Sequence, residues 1–374
     1  MVKRISSFLI LLAIFLLPQI SNAQELYEEL QGVWRSEVLD IVSEGQKAVP
    51  GTDLNTKFQN IKVEILEGEM KGKVVEIEND FILLKEGQKF YMNYLRTING
   101  DEIYSVRDID RRATLLWLTV FFAAVVLFFG KWQGLRSLLS LAGSFLVIIF
   151  ILIPLLMKGF NPIVVSILIG ALILGVAIFF THGFNMRSVV AFLGTVISIC
   201  LTGILAYFSI KILNLSGFFS DETVYLNFGT KGLLDFEGLL LGGIIIGVLG
   251  VLDDVAITQV AVVSEIKKTA EKISAKELYK KALNVGHEHI SALVNTIVLA
   301  YTGVSLPLLL WFSQSDSSFG KIINNEIFAT EIARTIVGSI GLILTVPITT
   351  FLAVVLVDKF KNTDSDNHAG HMHF

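Results

Sequence analysis

An adjacent pair of carboxylates, Asp253 and Asp254, interrupts an apolar segment in which no other charged residue lies between Glu237 and Glu265. A helix that begins near Gly238 would carry the pair about 22–24 Å along its axis, within a hydrocarbon core about 30 Å thick. An aspartate at such a depth costs about 2.5–3.5 kcal/mol unless it is protonated, paired or hydrated. The pair is therefore predicted to bind an ion or a substrate inside the membrane.

Three glycines share a helix face with the second carboxylate. Gly243, Gly247, Gly250 and Asp254 follow one another at spacings of four, three and four, which places them within about 60° around a helix. Glycines on one face allow another helix to approach closely. We therefore expect the three glycines to be helix-packing residues and Asp254 to point at a packed neighbour, with Asp253 on the flank. The alternative is a helix that ends early and leaves both carboxylates in cytoplasmic water.

A second polar group lies near the start of the next apolar span. Glu288 and Asn295 share a helical stripe with Thr302 at a spacing of seven, and they are candidate ion- or substrate-binding residues alongside the acidic pair. The flanking His287 and His289 point to nearly opposite sides of a regular helix, so they cannot chelate one metal from it. Helix capping and packing explain these histidines equally well.

Three of the six histidines lie at the end of the chain. His368, His371 and His373 are close enough in sequence to share a soft divalent metal, and they are candidate metal ligands. The tail that contains them, residues 361–374, is predicted to be disordered, so adventitious metal binding is the alternative. The sequence predicts no cofactor.

The composition indicates a small soluble domain joined to a membrane domain. Hydrophobic residues make up 53% of the 374 residues and charged residues only 17%, against about 25% charged residues in soluble domains. About one residue in three is charged in positions 24–112, and about one in eight afterwards. The net charge of −4 gives no basic footprint, so no nucleic-acid partner is expected. The single cysteine, Cys200, excludes an intrachain disulfide.

Residues 1–23 match a secretory signal peptide. Lys3 and Arg4 precede the apolar run 5–17, and Ser21 and Ala23 supply the small residues before a cleavage site. The run is shorter than the about 20 residues that span a bilayer, and an uncleaved anchor is the alternative. Either interpretation exports residues 24–112.

The exported segment, residues 24–112, alternates as half-buried strands do. Ile61, Val63 and Ile65 are predicted to face a core, and further short strands are predicted at 73–78, 81–84, 89–95 and 102–106. Five or six short strands favour a small β-barrel-like domain of the OB or SH3 type. It lacks a basic groove with interleaved aromatic residues, so its expected role is that of a scaffold or a domain that binds a protein partner.

Residues 113–360 form the predicted membrane domain, an all-α polytopic bundle of about seven transmembrane helices. The apolar spans are 113–129, 137–157, 162–181, 188–210, 239–263, 290–312 and 335–357. With an exported first domain, the cytoplasmic segments hold 11 Lys and Arg residues and the outward loops 5. This asymmetry follows the positive-inside rule. The sequence therefore predicts a multi-pass protein of the cell membrane, embedded in the lipid bilayer, with a cytoplasmic C-terminus.

The chain resembles the YibE/F-like family of bacterial multipass membrane proteins. The resemblance is carried by the segments GVLDDVAITQ at 250–259, GHEHI at 286–290, NT at 295–296, AY at 300–301 and LP at 306–307. The small β domain ahead of the spans belongs to the same pattern. The resemblance implies an integral membrane protein, and it implies no particular biochemical activity.

Three functions are compatible with these residues. A permease or ion-coupled transporter that uses the intramembrane Asp pair is favoured, and Asp254→Asn is then expected to abolish activity while Asp253→Asn is milder. The alternatives are a non-catalytic membrane partner or scaffold subunit, and a membrane-embedded phosphotransferase-like enzyme. Such an enzyme needs a further Asp- and Asn-rich cytoplasmic motif that the sequence lacks, and a P-loop is also missing. A non-enzymatic role is therefore favoured.

Overall fold

The structure, a computed structural model, describes residues 31–48, 51, 55–96 and 101–359. It divides into two units, residues 1–125 and 126–374, of which the first contains a β-sheet and the second a helical bundle. The predicted signal peptide and the histidines of the tail lie outside the described residues.

Five antiparallel strands form one curled sheet in the order β3-β2-β1-β4-β5. The strands are β1 (Gln31–Ala48), β2 (Asn55–Ile65), β3 (Val74–Asn79), β4 (Lys89–Arg96) and β5 (Glu102–Ile109). The central strand β1 shifts its register against β2 between Val38 and Asp40 and again between Ile41 and Ser43. Such bulges bend a strand and increase its twist, so the sheet curls around its own apolar face.

The buried face of β2 confirms the alternating pattern in its sequence. Ile61, Val63 and Ile65 are completely buried and belong to the core of the sheet. The predicted strand at 81–84 is wrong, because this segment is a loop held by the buried side chain of Gln59. The Gln59 amide accepts a hydrogen bond from the Leu84 N–H at 2.8 Å and donates one to the Leu84 carbonyl at 3.0 Å. The long strand β1 was not predicted, since its two bulges break the regular alternation.

A buried carboxylate joins the end of the sheet to the first helix, α1 (Arg112–Val147). The Asp110 side chain is only 4% exposed, and it accepts hydrogen bonds from Arg35 Nε at 2.7 Å and from Arg112 Nε at 2.9 Å. The hydrogen bonds and positive charge of Arg112, together with the charge of Arg35, hold the pKa of Asp110 well below its usual range. One side chain thus connects β1, the end of β5 and the start of α1.

Nine further helices follow α1 in the described part of the chain. They are α2 (Ile153–Met157), α3 (Pro162–His182), α4 (Met186–Leu213), α5 (Asp221–Gly229), α6 (Phe236–Thr269), α7 (Ala275–Val304), α8 (Leu306–Ser313), α9 (Phe319–Ile323) and α10 (Glu326–Leu356). A π-helical segment, Ile148–Leu152, joins α1 to α2. The long helices begin where a polar side chain accepts a hydrogen bond from a free backbone N–H, as Asn161, Asn185, Asp235, Ser274 and Asn325 do.

Five helical segments of the described chain are long and apolar enough to cross a membrane, and a bent pair raises the number to six. The five are Arg112–Met157, α3, α4, α6 and α10, and the bent pair is α7 with α8, which meet at 60°. Pro307 lies in the first turn of α8 and has no N–H to continue the hydrogen bonding of α7. The membrane-domain architecture is therefore confirmed at this coarser level.

The predicted number of seven spans requires Arg112–Met157 to cross the membrane twice. Its 46 residues would be about 69 Å long as a straight helix, more than twice a hydrocarbon core of about 30 Å. The backbone leaves the helical region at Lys131, where φ is 48° and ψ is −129°. Gly134 lies directly against the Val126 carbonyl, a contact that a straight helix excludes. These features favour the two predicted spans 113–129 and 137–157.

Helix α6 occupies the centre of the bundle and contacts α3, α4, α7 and α10. Small residues let α4 and α10 pack closely, because a Cβ at Gly194 would lie 2.5 Å from Thr349 Oγ1 and Gly341 lies directly against Thr202. Apolar residues of α6 fill the core between these helices, including Leu241, Ile244, Ile245, Val248 and Leu252. One side of α6 is left without such packing, and that side carries the candidate site.

Candidate functional site

The acidic pair lines a cavity of about 490 Å³ in the helical unit. Three elements enclose this acidic cavity: the second part of α1, the C-terminal half of α3 and the middle of α6. Its polar lining residues are Ser137, Ser140, Ser144, Thr181, His182, Asp253 and Asp254. A concave site of this size with a few convergent polar groups is the usual form of a small-ligand or ion site.

Helix α6 carries the pair deep into the bundle. It begins at Phe236, after Asp235 caps it by accepting a hydrogen bond from the Gly238 N–H at 3.0 Å, and it continues to Thr269. The pair is therefore about 26 Å along the axis, and the helix does not end early beside it.

The two carboxylates differ in exposure, and the predicted order is wrong. Asp253 is half-buried, whereas Asp254 is exposed. Asp254 does not point at a packed neighbour, because it lines the acidic cavity together with Gly250. The carboxylate predicted to lie on the flank, Asp253, is the one more enclosed by protein.

Only one of the three predicted packing glycines is in close contact with another helix. A Cβ at Gly247 would lie 2.5 Å from the hydroxyl of Tyr301 on α7, whereas one at Gly243 or Gly250 would meet no atom within 4 Å. Gly250 lines the acidic cavity, and Gly243 lines a second one. The helical phase identified the shared face correctly. Two of the glycines on this face border cavities, however, and do not contact another helix.

His182, at the C-terminal end of α3, adds an imidazole to the lining of the acidic cavity. Nearby, the Gln133 side chain donates a hydrogen bond to the Thr181 carbonyl at 3.2 Å. Among the residues that the structure describes, no group of three or more His, Cys, Asp and Glu side chains could hold a metal ion. Two carboxylates and an imidazole around a polar cavity are suited to exchanging protons with water.

Glu288 and Asn295 are not brought to the acidic pair. Both are exposed on α7, and neither lines the acidic cavity. The neighbouring Gly286 has a packing role, since a Cβ there would lie 2.5 Å from Val346 Cγ1 and 2.6 Å from Gln259 Nε2. The segment GHEHI thus combines a close helix contact with an exposed polar face.

The sequence reasoning missed the polar wall opposite the pair. Ser137, Ser140 and Ser144 lie on one face of α1 at spacings of three and four, and the Ser144 hydroxyl donates to the Ser140 carbonyl at 3.0 Å. A serine stripe with helical period in an otherwise apolar span was the signal that pointed to this wall. His182, at the C-terminal end of its span, carried no comparable signal.

A second cavity of about 290 Å³ lies further towards the start of α6. Its lining is mostly apolar, with Ser166, Thr223 and Arg334 as its polar side chains. Ile246 lines both cavities. From Phe236 to Ile257 the two cavities follow α6 for about 32 Å, close to the thickness of a hydrocarbon core.

Arg334 is the one basic side chain in the lining of this second cavity, and the sequence reasoning left it in an outward loop. Helix α10 begins at Glu326, so Arg334 lies about 12 Å inside it. Its Nη1 is 3.2 Å from Glu331 Oε1, and its guanidinium carbon is 5.6 Å from the centre of the Phe219 ring. Its Nε is buried and has no hydrogen-bond partner among the described residues.

The fold defines a class, an integral membrane protein, and its helical unit contains two cavities along α6. The model of the YibE/F-like protein family matches residues 118–359. Because this match covers more than half of the chain, the protein belongs to the YibE/F-like family. No curated protein and no solved structure matches the chain.

Proposed function

We propose that this protein is a permease or ion-coupled transporter, and that the proton is its coupling ion. The observation that carries the proposal is the position of Asp253 and Asp254 in a polar cavity about 26 Å along a membrane-capable helix. Ionisable residues inside a membrane domain are costly and commonly mark ion pathways. A hydrated cavity lowers this cost when the carboxylates are charged, and protonation removes it when the cavity closes.

The arrangement of the two cavities supports alternating access. Both lie along one side of α6, and Ile246 lies at the boundary between them. The π-helical segment Ile148–Leu152 runs beside the same boundary, because Ile148 lines the acidic cavity and Leu152 the other. Small shifts of α6 against this segment would open one cavity at a time to a solute.

Sidedness follows from the distribution of basic residues in the sequence. Six lysines lie between residues 264 and 289, at the end of α6, in the loop after it and at the start of α7. We therefore place the acidic cavity towards the cytoplasm and the Arg334 cavity towards the outside. In this orientation the β domain is extracytoplasmic, where it would bind a protein partner.

Flux measurements on the purified protein in liposomes test the proposal. Proton flux should be present for the wild type and lost in the double variant Asp253→Asn/Asp254→Asn. Of the single variants, Asp253→Asn should reduce flux more, by roughly tenfold or greater, because its carboxylate is the more enclosed of the two.

Glu265→Gln is the matched control for these variants. Glu265 is an exposed carboxylate on the same helix, and it does not line the acidic cavity. The flux of the Glu265→Gln variant should therefore equal that of the wild type. Equal flux in the wild type and the double variant would reject the acidic pair as the coupling site.

A second candidate function, a membrane subunit that assembles with another spanning protein, is favoured by the exposed face of α7. His287, Glu288, Ser291, Asn295 and Thr296 are all exposed there. Polar side chains within a span are stable against protein or water but costly against lipid. Absence of flux for every ion, combined with a disulfide crosslink from Ser291→Cys to another spanning protein, would favour this function over transport.

A further inference from the structure

We propose that the Arg334 cavity binds the carboxylate or phosphate group of a small organic anion, which enters the path there. The inference deepens the proposed function, on which its transport step rests, by assigning a class of solute. The binding step itself depends only on the geometry of this cavity.

The donor geometry of Arg334 points to an oxyanion. A guanidinium offers five N–H donors in a planar fork, and Glu331 engages only the Nη1 side, at 3.2 Å. Phe219 lies against the guanidinium, with its ring centre 5.6 Å from the guanidinium carbon, and a ring offers no strong hydrogen-bond acceptor to the N–H donors. The buried Nε has no hydrogen-bond partner among the described residues, and an unsatisfied buried donor is costly. Because Arg334 lines the cavity, an oxyanion in the cavity would offer acceptors to its guanidinium.

The remaining lining indicates an apolar body attached to that oxyanion. Leu156, Phe236, Leu239 and Leu240 surround the cavity. Its volume of about 290 Å³ is near the lower end of small-molecule sites, about 300–1,000 Å³. A small acid with an apolar chain, such as a six-carbon acid, suits both the charge of Arg334 and the apolar lining, whereas a free inorganic anion would leave the apolar surface in contact with water.

Glu331 acts as an internal competitor for the same guanidinium. Its side chain is 20% exposed and that of Arg334 is 22% exposed, so the pair is partly shielded from solvent. An arriving anion would share Arg334 with this carboxylate, which keeps the affinity moderate and allows release on the other side of the membrane.

Calorimetric titration of the full chain in phosphatidylcholine nanodiscs tests the site, with hexanoate as the probe. Hexanoate should bind saturably, and uncharged hexanamide should not. Arg334→Gln should weaken hexanoate binding at least tenfold. Arg136→Gln should leave it unchanged, since Arg136 also lies over an aromatic ring, at 5.9 Å from Trp132, but does not line this cavity.

A second variant, whose expected effect on binding has the opposite sign, tests the site even if Arg334→Gln does not fold. Glu331→Gln should tighten hexanoate binding, roughly fivefold, because it removes the competing carboxylate. Equal binding of hexanoate and hexanamide, or no change in either variant, would overturn the proposal. Displacement of hexanoate by phosphatidylglycerol, with no binding in its presence, would assign the site to a lipid headgroup and overturn it as well.

The outcome is separable from that of the proposed function. The Asp253→Asn/Asp254→Asn variant should bind hexanoate as the wild type does, because neither aspartate lines the Arg334 cavity. Flux that depends on the acidic pair without hexanoate binding would reject only the anion site. Hexanoate binding without any flux would reject only transport.

Discussion

At the scale of single residues, the same carboxylate chemistry serves two different purposes in this protein. Asp110 is enclosed by two arginines that donate hydrogen bonds to it, so its charge is stabilised and holds structure together. Asp253 and Asp254 line a cavity whose lining contains no Lys or Arg, so their charge depends on water or a bound ion. Electrostatic surroundings, not residue type, separate the structural aspartate from the candidate functional pair.

Asp110→Asn is expected to lower the free energy of unfolding of the β unit by about 2 kcal/mol at pH 7, because hydrogen bonds to charged groups contribute about 1.5–3 kcal/mol. Its folded-state pKa lies below the unfolded value, which is about 3.9. The stabilisation is therefore complete above the unfolded pKa and is lost as the pH falls through the folded one. Hydrogen exchange of the strand peptides in the full-length protein, at pH 7 and pH 3, measures the difference in unfolding free energy between the wild type and this variant.

The difference in the free energy of unfolding between the wild type and Asp110→Asn should be smaller at pH 3 than at pH 7. Asp108→Asn is the control, because Asp108 is 52% exposed and its ion pair with Arg111 lies on the surface, where such pairs contribute little. A difference that does not change with pH would show that the charge of Asp110 is not what stabilises the unit.

At the scale of elements, helix α7 combines closely packed positions with one open face. At Gly286 it approaches α6 and α10, beside a buried hydrogen bond in which Thr350 Oγ1 donates to Gln259 Oε1 at 3.0 Å. The face that carries Glu288 and Asn295 is exposed. The element is therefore fixed to the bundle near its middle, while its polar face remains accessible to water or to another protein.

Gly286→Ala should destabilise the bundle by about 1–3 kcal/mol, since the added methyl group would overlap Val346 and Gln259. Thermal unfolding of the protein in detergent measures this loss. Gly303→Ala is the matched control on the same helix, because a Cβ there meets no atom within 4 Å. If both variants unfolded at the temperature of the wild type, close packing at Gly286 would not contribute to stability.

At the scale of the whole molecule, each of the two units contains its own core. The β unit is built around the inner face of its curled sheet, and the helical unit around α6. Both cavities are lined only by residues of the helical unit. We therefore expect the helical unit to contain the transport path and the β domain to bind a partner.

Deleting residues 24–110 while keeping the predicted signal peptide should leave membrane insertion and flux within about twofold of the full chain. The reason is that the deletion removes no residue that lines either cavity. Membrane fractionation and the liposome assay measure these two properties, with the full-length chain as reference. Loss of flux on deletion would place part of the transport machinery in the β domain.

The sequence by itself determined the two-part architecture, the apolar helices, the strand face of β2 and the glycine face of α6, because each depends on local periodicity and hydropathy. It also identified Asp253 and Asp254 as residues that need an explanation. Only the tertiary structure decided that Asp253 is the more enclosed, that Glu288 lies elsewhere and that Arg334 lines a second cavity. Helical phase shows which residues share a face, but what lies opposite that face depends on how distant segments pack.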